Sequence, residues 1–185
     1  MVSKRTSGMT LVELLVVMTI AAILIGVGVP SFRYVTNSNR MSGEINNLLG
    51  DLQFARSQAL KEGRTVTVCS STNGKDCGTS SWDQGWIVFS DPTATKSSAG
   101  ELALRVQKAF LGGDTLTFDN SINAITFNRE GFANEPLTSG ATVLTATLHD
   151  KYANPAWSRC LIVTAGRIAT EQKGPASTTQ LTECK

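Results

Sequence analysis

Hydrophobic and polar positions along the chain fall into three regimes. Residues 9–29 are apolar except for Thr10, Glu13, Thr19 and two glycines, Gly26 and Gly28. From Pro30 to Gly63 the composition turns polar, but Ile45, Leu48, Leu49, Leu52, Ala55 and Ala59 recur at helical spacing and predict one buried stripe. Beyond Gly63 the pattern breaks into short β-rich runs at residues 65–69, 86–89, 102–109, 116–118, 124–127, 143–148 and 160–163. Loop-like stretches, such as "STNGKDCGTSS" and "DPTATKSSAG", separate them. The order predicts an α+β fold: a long N-terminal helix, apolar in its first half and amphipathic in its second, packed on an antiparallel β-sheet domain. Gly63 is the expected helix stop, and Pro30 with the glycines before it is an expected kink. No internal repeat appears.

The first regime has the dimensions of a membrane span. As a helix, residues 9–29 would be about 31 Å long, against a hydrocarbon core of about 30 Å. Lys4 and Arg5 precede the run, which predicts a cytoplasmic N-terminus and a head on the far side of the membrane. A secretory signal would end in a small-residue cleavage site, and Gly26, Gly28 and Pro30 fit one poorly. The informative small residue is Gly8, before the run. Glu13 is the other anomaly, because a carboxylate at the centre of a membrane helix costs about 3 kcal/mol, and less towards its ends. Some partner must offset that cost.

The length of 185 residues, with 41% hydrophobic and 17% charged, suits one globular domain plus an appendage. The formal charge is +2 and falls to zero without Lys4 and Arg5, which excludes a generally basic nucleic-acid binder. Cys69, Cys77, Cys160 and Cys184 all follow the apolar run; with no CxxC and a single histidine, His149, they do not spell a zinc site. An even count beyond a membrane segment points to an oxidising compartment. Three pairings are open. Cys69–Cys77 with Cys160–Cys184 closes two local loops and is the expected set, with free buried thiols as the alternative.

The N-terminal string Lys-Arg-Thr-Ser-Gly, then Met-Thr-Leu-Val-Glu-Leu-Leu-Val-Val-Met, resembles the processing motif of type IV pilins and type II secretion pseudopilins. The resemblance implies cleavage by a prepilin peptidase between Gly8 and Met9, methylation of the new terminus, and Glu13 as fifth residue of the mature chain. The family more often has Phe where Met9 stands. Implied partners are other pilins or pseudopilins through the N-terminal helix, the peptidase, an inner-membrane assembly platform and membrane lipid. In a filament, Glu13 could meet the α-amine of Met9 on a neighbouring subunit, an ion pair that offsets desolvation only in good geometry. The expected organisation is a leader at 1–8, a membrane and filament-core helix at 9–29, an amphipathic helix at 30–63 and a periplasmic head at 64–185.

Later segments, "LQFARSQAL", "CSSTNGKDC", "WDQGWIVFSD", "ITFNREGF" and "CLIVTAGRI", are similar to the minor pilin and pseudopilin H group that includes FimT and FimU. That implies a subunit of a type IV pilus initiation or tip complex, towards which the two local cysteine loops tilt the reading. One alternative is a type II secretion pseudopilin H; another is a DNA-binding minor pilin for natural transformation. DNA-binding relatives carry Gly-Arg-x-Arg, whereas this chain reads Gly166-Arg167-Ile168-Ala169 and lacks the second arginine. Arg159, Lys173 and Lys185 are further candidates, interrupted by Glu171 and Glu183, so DNA is not the favoured partner.

Three other features carry two readings each. Arg56 projects from the helical stripe, either snorkelling over the sheet or paired with a strand carboxylate. Trp82 and Trp86 fit a cluster covering the sheet, or an exposed ligand platform. His149, at a strand end, reads as a surface residue. No catalytic constellation is found: there is no G-x-S-x-G, "NGKD" lacks the rest of a phosphate loop, and the acids lack calcium-loop spacing. No enzyme activity, metal or cofactor is expected.

Overall fold

A computed structural model describes residues 9–78, 81–98, 102–135, 143–154 and 157–172. The chain divides into two compact units, Met1–Asn39 and Arg40–Lys185.

Helix α1, Leu11–Glu62, is the first element. Thr10 begins it, its Oγ1 accepting the Glu13 N–H at 3.2 Å, which satisfies one of the first-turn donors that a helix leaves open. Glu13 in the first turn and Lys61 in the last both suit the helix dipole. Helical backbone continues through position 30, so the expected kink brings no break in the assigned helix. Gly63, at φ +63°, ends the helix in the left-handed region that a side chain disfavours.

Within the larger unit, Met41, Ile45, Leu48, Leu52, Ala55 and Ala59 are buried at alternating steps of four and three residues. This is the predicted stripe extended by Met41. Leu49 packs at its margin, only partly covered.

Nine strands follow among the described residues, all paired antiparallel. β1 (Val66–Ser70), β2 (Gly85–Ser90), β3 (Ala103–Lys108), β5 (Ala124–Phe127) and β6 (Ala133–Glu135) form one sheet in the order β3-β2-β1-β5-β6. β4 (Thr115–Phe118), β7 (Val143–His149), β8 (Arg159–Thr164) and β9 (Ile168–Gln172) form the second, in the order β4-β7-β8-β9. Central β1 is buried along its whole length, with Val68 opposite Val88 on one side and Ile125 on the other. β6 and β9 were not expected from the sequence. Both are sheet-edge strands with no run of apolar residues, held by backbone pairing to β5 and β8.

The helical stripe joins inward side chains of both sheets in one core, among them Val68, Val88, Ile125, Leu144 and Leu161. Cys69, Ile87 and Phe89 form a second, smaller cluster with Cys77. Successive strand residues face opposite ways, so Cys69 points away from the helix side that Val68 faces.

Candidate functional site

Apolar side chains of the smaller unit lie open. Leu11 is 80% exposed, Val12 69%, Ile23 66% and Val27 69%. Its threonines do not need a partner from outside: Thr19 Oγ1 donates to the Val16 carbonyl at 2.8 Å and Thr36 Oγ1 to the Phe32 carbonyl at 2.9 Å. Glu13 differs. Its backbone N–H is capped by Thr10, but no group among the described residues engages its carboxylate. Met9 is 62% exposed four positions earlier, and Gly8 lies outside the described residues. The arrangement is an apolar helical surface, long enough to cross a bilayer by length and composition, bearing one unanswered negative charge near its start.

In the larger unit, the end of α1 and the β8–β9 turn are tied together. Arg56 Nη1 donates to the Gly166 carbonyl at 2.8 Å. Among the described residues Arg56 is thus engaged by a main-chain carbonyl and not by a strand carboxylate, and it does more than snorkel. The turn carries a free carbonyl across the helix end, and the guanidinium takes it. Within the turn, Thr164 and Arg167 close on each other through Thr164 N–H to the Arg167 carbonyl (2.8 Å) and Arg167 N–H to Thr164 Oγ1 (3.0 Å). This leaves Arg167 exposed and Ala169 half-buried.

Arg159 corrects an expectation. It is 5% exposed, with Nε directed at Ser42 Oγ (3.4 Å) and Nη1 donating to the Ser158 carbonyl (3.1 Å). A guanidinium used inside the fold cannot meet a phosphate, so Arg159 is not a surface cation. Lys173 and Lys185 lie outside the described residues.

Cys69 and Cys77 are joined by a disulfide across the β1–β2 connection. Cys160 is buried and oxidised; its expected partner, Cys184, lies outside the described residues. Both tryptophans are buried, as the covering-cluster reading requires. Trp82 Nε1 donates to the Ile122 carbonyl at 2.6 Å, and Trp86 Nε1 to Asp51 Oδ2 at 2.8 Å. His149 is half-buried rather than a plain surface residue, its Nδ1 3.0 Å from Ser158 Oγ.

Two polar junctions between helix and sheet escaped the sequence reading. Asp51 takes Trp86 on one oxygen and Arg105 Nη1 on the other, at 2.9 Å, while the Arg105 guanidinium sits 3.9 Å over the Phe54 ring. The available signal was an acid three residues after Leu48, on the buried stripe. The second junction joins Arg40 and Glu44 of α1 to Asp114, just before β4. Arg40 Nη2 meets Asp114 Oδ1 at 2.8 Å, and the Asp114 side chain is fully buried. Asp114 Oδ2 and Glu44 Oε2 are buried oxygens without a donor among the described residues. Burial pushes the Glu44 carboxyl up to about 8; the hydrogen bond to Asp114 and its charge add to the rise, and Arg40 opposes it.

Residues 44–166 match the family model described as type II transport protein GspH, and residues 3–29 match the prokaryotic N-terminal methylation motif. No curated protein matches the chain. Among solved structures, the fold is similar to that of the type IV minor pilin FimU of Pseudomonas aeruginosa, at 23% identity and a TM-score of 0.55, covering 77% of this chain and 93% of that one. It is also similar to the minor pseudopilin EpsH of the Vibrio cholerae type 2 secretion system, at 10% identity and a TM-score of 0.51, covering 74% and 99%. At these identities the likeness speaks for the fold: one helix and antiparallel sheets in the pilin arrangement.

Proposed function

The chain belongs to the GspH family of minor pilins and pseudopilins, and from that premise we propose that it is a structural subunit of a type IV pilus, assembled from the inner membrane as part of its initiation or tip complex. The observation that carries this reading is the exposed apolar helix with Glu13 unanswered in its first turn. A surface of that kind has two places to go, a bilayer or a bundle of like helices. Glu13 favours the bundle, because a bilayer offers the carboxylate nothing. Prepilin peptidase cuts between Gly8 and Met9, and the new α-amine at Met9 pairs with Glu13 of an adjacent subunit. The ion pair is worth little until assembly removes both charges from water, where leaving one without the other is expensive. Membrane anchoring comes first, with the head on the periplasmic side, and register follows on assembly.

A second reading, a pseudopilus subunit for protein secretion, is favoured by the family description itself. A deletion strain scored for pili, twitching and protein secretion separates the two. Loss of pili with secretion intact supports the pilus subunit; loss of secretion with pili intact overturns it in favour of the pseudopilin. Mass spectrometry of the mature N-terminus tests the shared part, and an uncut leader would refute it.

A further inference from the structure

Among the described residues, the donors at the Arg40–Glu44–Asp114 junction fall one hydrogen short of its buried oxygens. Asp114 Oδ1 has Arg40. Asp114 Oδ2 and Glu44 Oε2, both buried, have no separate donor among the described residues, although each is an acceptor once ionised. A buried carboxylate oxygen without a donor carries its full desolvation penalty, and one hydrogen between the two would serve both. We propose that Glu44 and Asp114 share a single proton, so that the seat of the α1 turn Arg40–Glu44 against the β3–β4 loop is a pH-dependent latch.

Among the described residues, the surroundings leave little else to supply that hydrogen. On α1 the neighbouring charge is Arg40, already committed to Asp114. From β8, Arg159 approaches this part of the helix but turns to Ser42 and Ser158. Beyond β7, Lys151 packs its aliphatic stem beside Gly113, Asp150 accepts the Asn154 N–H, and His149, opposite Thr115, is engaged with Ser158. Among the described residues, Asp114 and Arg40 are the charges that act on Glu44. Gly112 completes the enclosure: a Cβ there would fall 2.6 Å from Arg40 Cζ and 2.8 Å from Asp114 Oδ2. Glycine lets the backbone come this close, and the carboxyl pair is shut off from water on that side.

Glu44 keeps its proton in the folded chain to about 8, and the unfolded chain releases it near 4.5. Between those values the folded state binds the extra proton. Stability from this pair is therefore fully present at and below the unfolded value, and is lost as pH rises through the window.

The test uses the full chain in detergent micelles, with Tm followed from pH 5 to pH 9 for wild type, Glu44→Gln and Asp114→Asn. Glutamine carries a permanent N–H donor towards Asp114, so Glu44→Gln is expected to flatten the fall in Tm between pH 5 and pH 9. Carbon-13 NMR of the wild-type side-chain carboxyls reports directly, without relying on a variant that folds. One carboxyl with its midpoint far above the ordinary glutamate range, and absent in Glu44→Gln, is the expected result. A Glu44 midpoint near 4.5, or parallel Tm profiles for wild type and Glu44→Gln, overturns the proposal. A Tm gain at pH 7 with added calcium, lost in Glu44→Gln, also overturns it, in favour of a bound cation.

Discussion

At the scale of single residues, the decisive groups are polar atoms placed where apolar ones would be cheaper. Asp51 receives both an indole N–H and a guanidinium, so Asp51→Ala strands the buried Trp86 N–H. That change should cost about 1–3 kcal/mol, read from urea unfolding. Trp86→Phe, which removes donor and demand together, leaves one Asp51 oxygen still on Arg105 and should relieve part of the Asp51→Ala penalty when the two are combined. Glu13→Val makes the opposite bet: membrane insertion stays intact or improves, while incorporation into sheared filaments falls. Equal incorporation of mutant and wild type would remove the register role. Glu13 stood out in the sequence because its cost is local, one carboxylate in an apolar run. Asp51 did not, because its partners lie 35 and 54 positions away and only the folded sheet brings them in.

At the scale of elements, the helical stripe and the long strands were legible for a common reason. Their burial is periodic, and the period is written in side-chain type. β6 and β9 lack that writing, since an edge strand such as Ile168–Gln172 is specified by the open backbone of its neighbour. The Arg56 bond to Gly166 was illegible likewise, because a main-chain acceptor has no residue-type signature. Truncating the stripe at a fully enclosed position, Leu52→Ala, should destabilise the head by about 2–5 kcal/mol in the same urea assay. Opening the Cys69–Cys77 loop by replacing both cysteines with serine should remove roughly 2–3 kcal/mol by the chain-entropy estimate, plus the cost of polar atoms beside Ile87 and Phe89. A smaller loss than that for Leu52→Ala and no loss for the disulfide would both contradict the packing described above.

At the scale of the molecule, charge argues against a role as DNA receptor. With Arg159 inside the fold and Ala169 in place of a second arginine, Arg167 is left as the exposed cation of the β8–β9 turn. Two or three phosphate contacts would give a log K against log salt slope of only about −2 to −3, and binding would fade well below about 150 mM salt. Fluorescence anisotropy with a short duplex at two salt concentrations is expected to show no saturable binding at the higher one, and some gain for Ala169→Arg. Micromolar wild-type binding lost in Arg167→Ala would reverse that conclusion.

The position of β1 in its sheet also sets a timetable. The strand follows the helix directly, yet one of its two flanking partners is β5, with Val66 opposite Phe127. As the chain emerges N-terminus first, the stripe from Met41 to Ala59 and one edge of β1 must wait, uncovered, for some sixty further residues. Pairing over such separations is slow, because loop closure is paid before any contact rewards it. A half-emerged head thus presents an amphipathic helix and a bare strand edge together, the combination that aggregates or recruits a chaperone. Under the membrane anchoring proposed above, the preceding apolar helix would hold each nascent copy at the bilayer during that interval and keep it from meeting its siblings freely in solution.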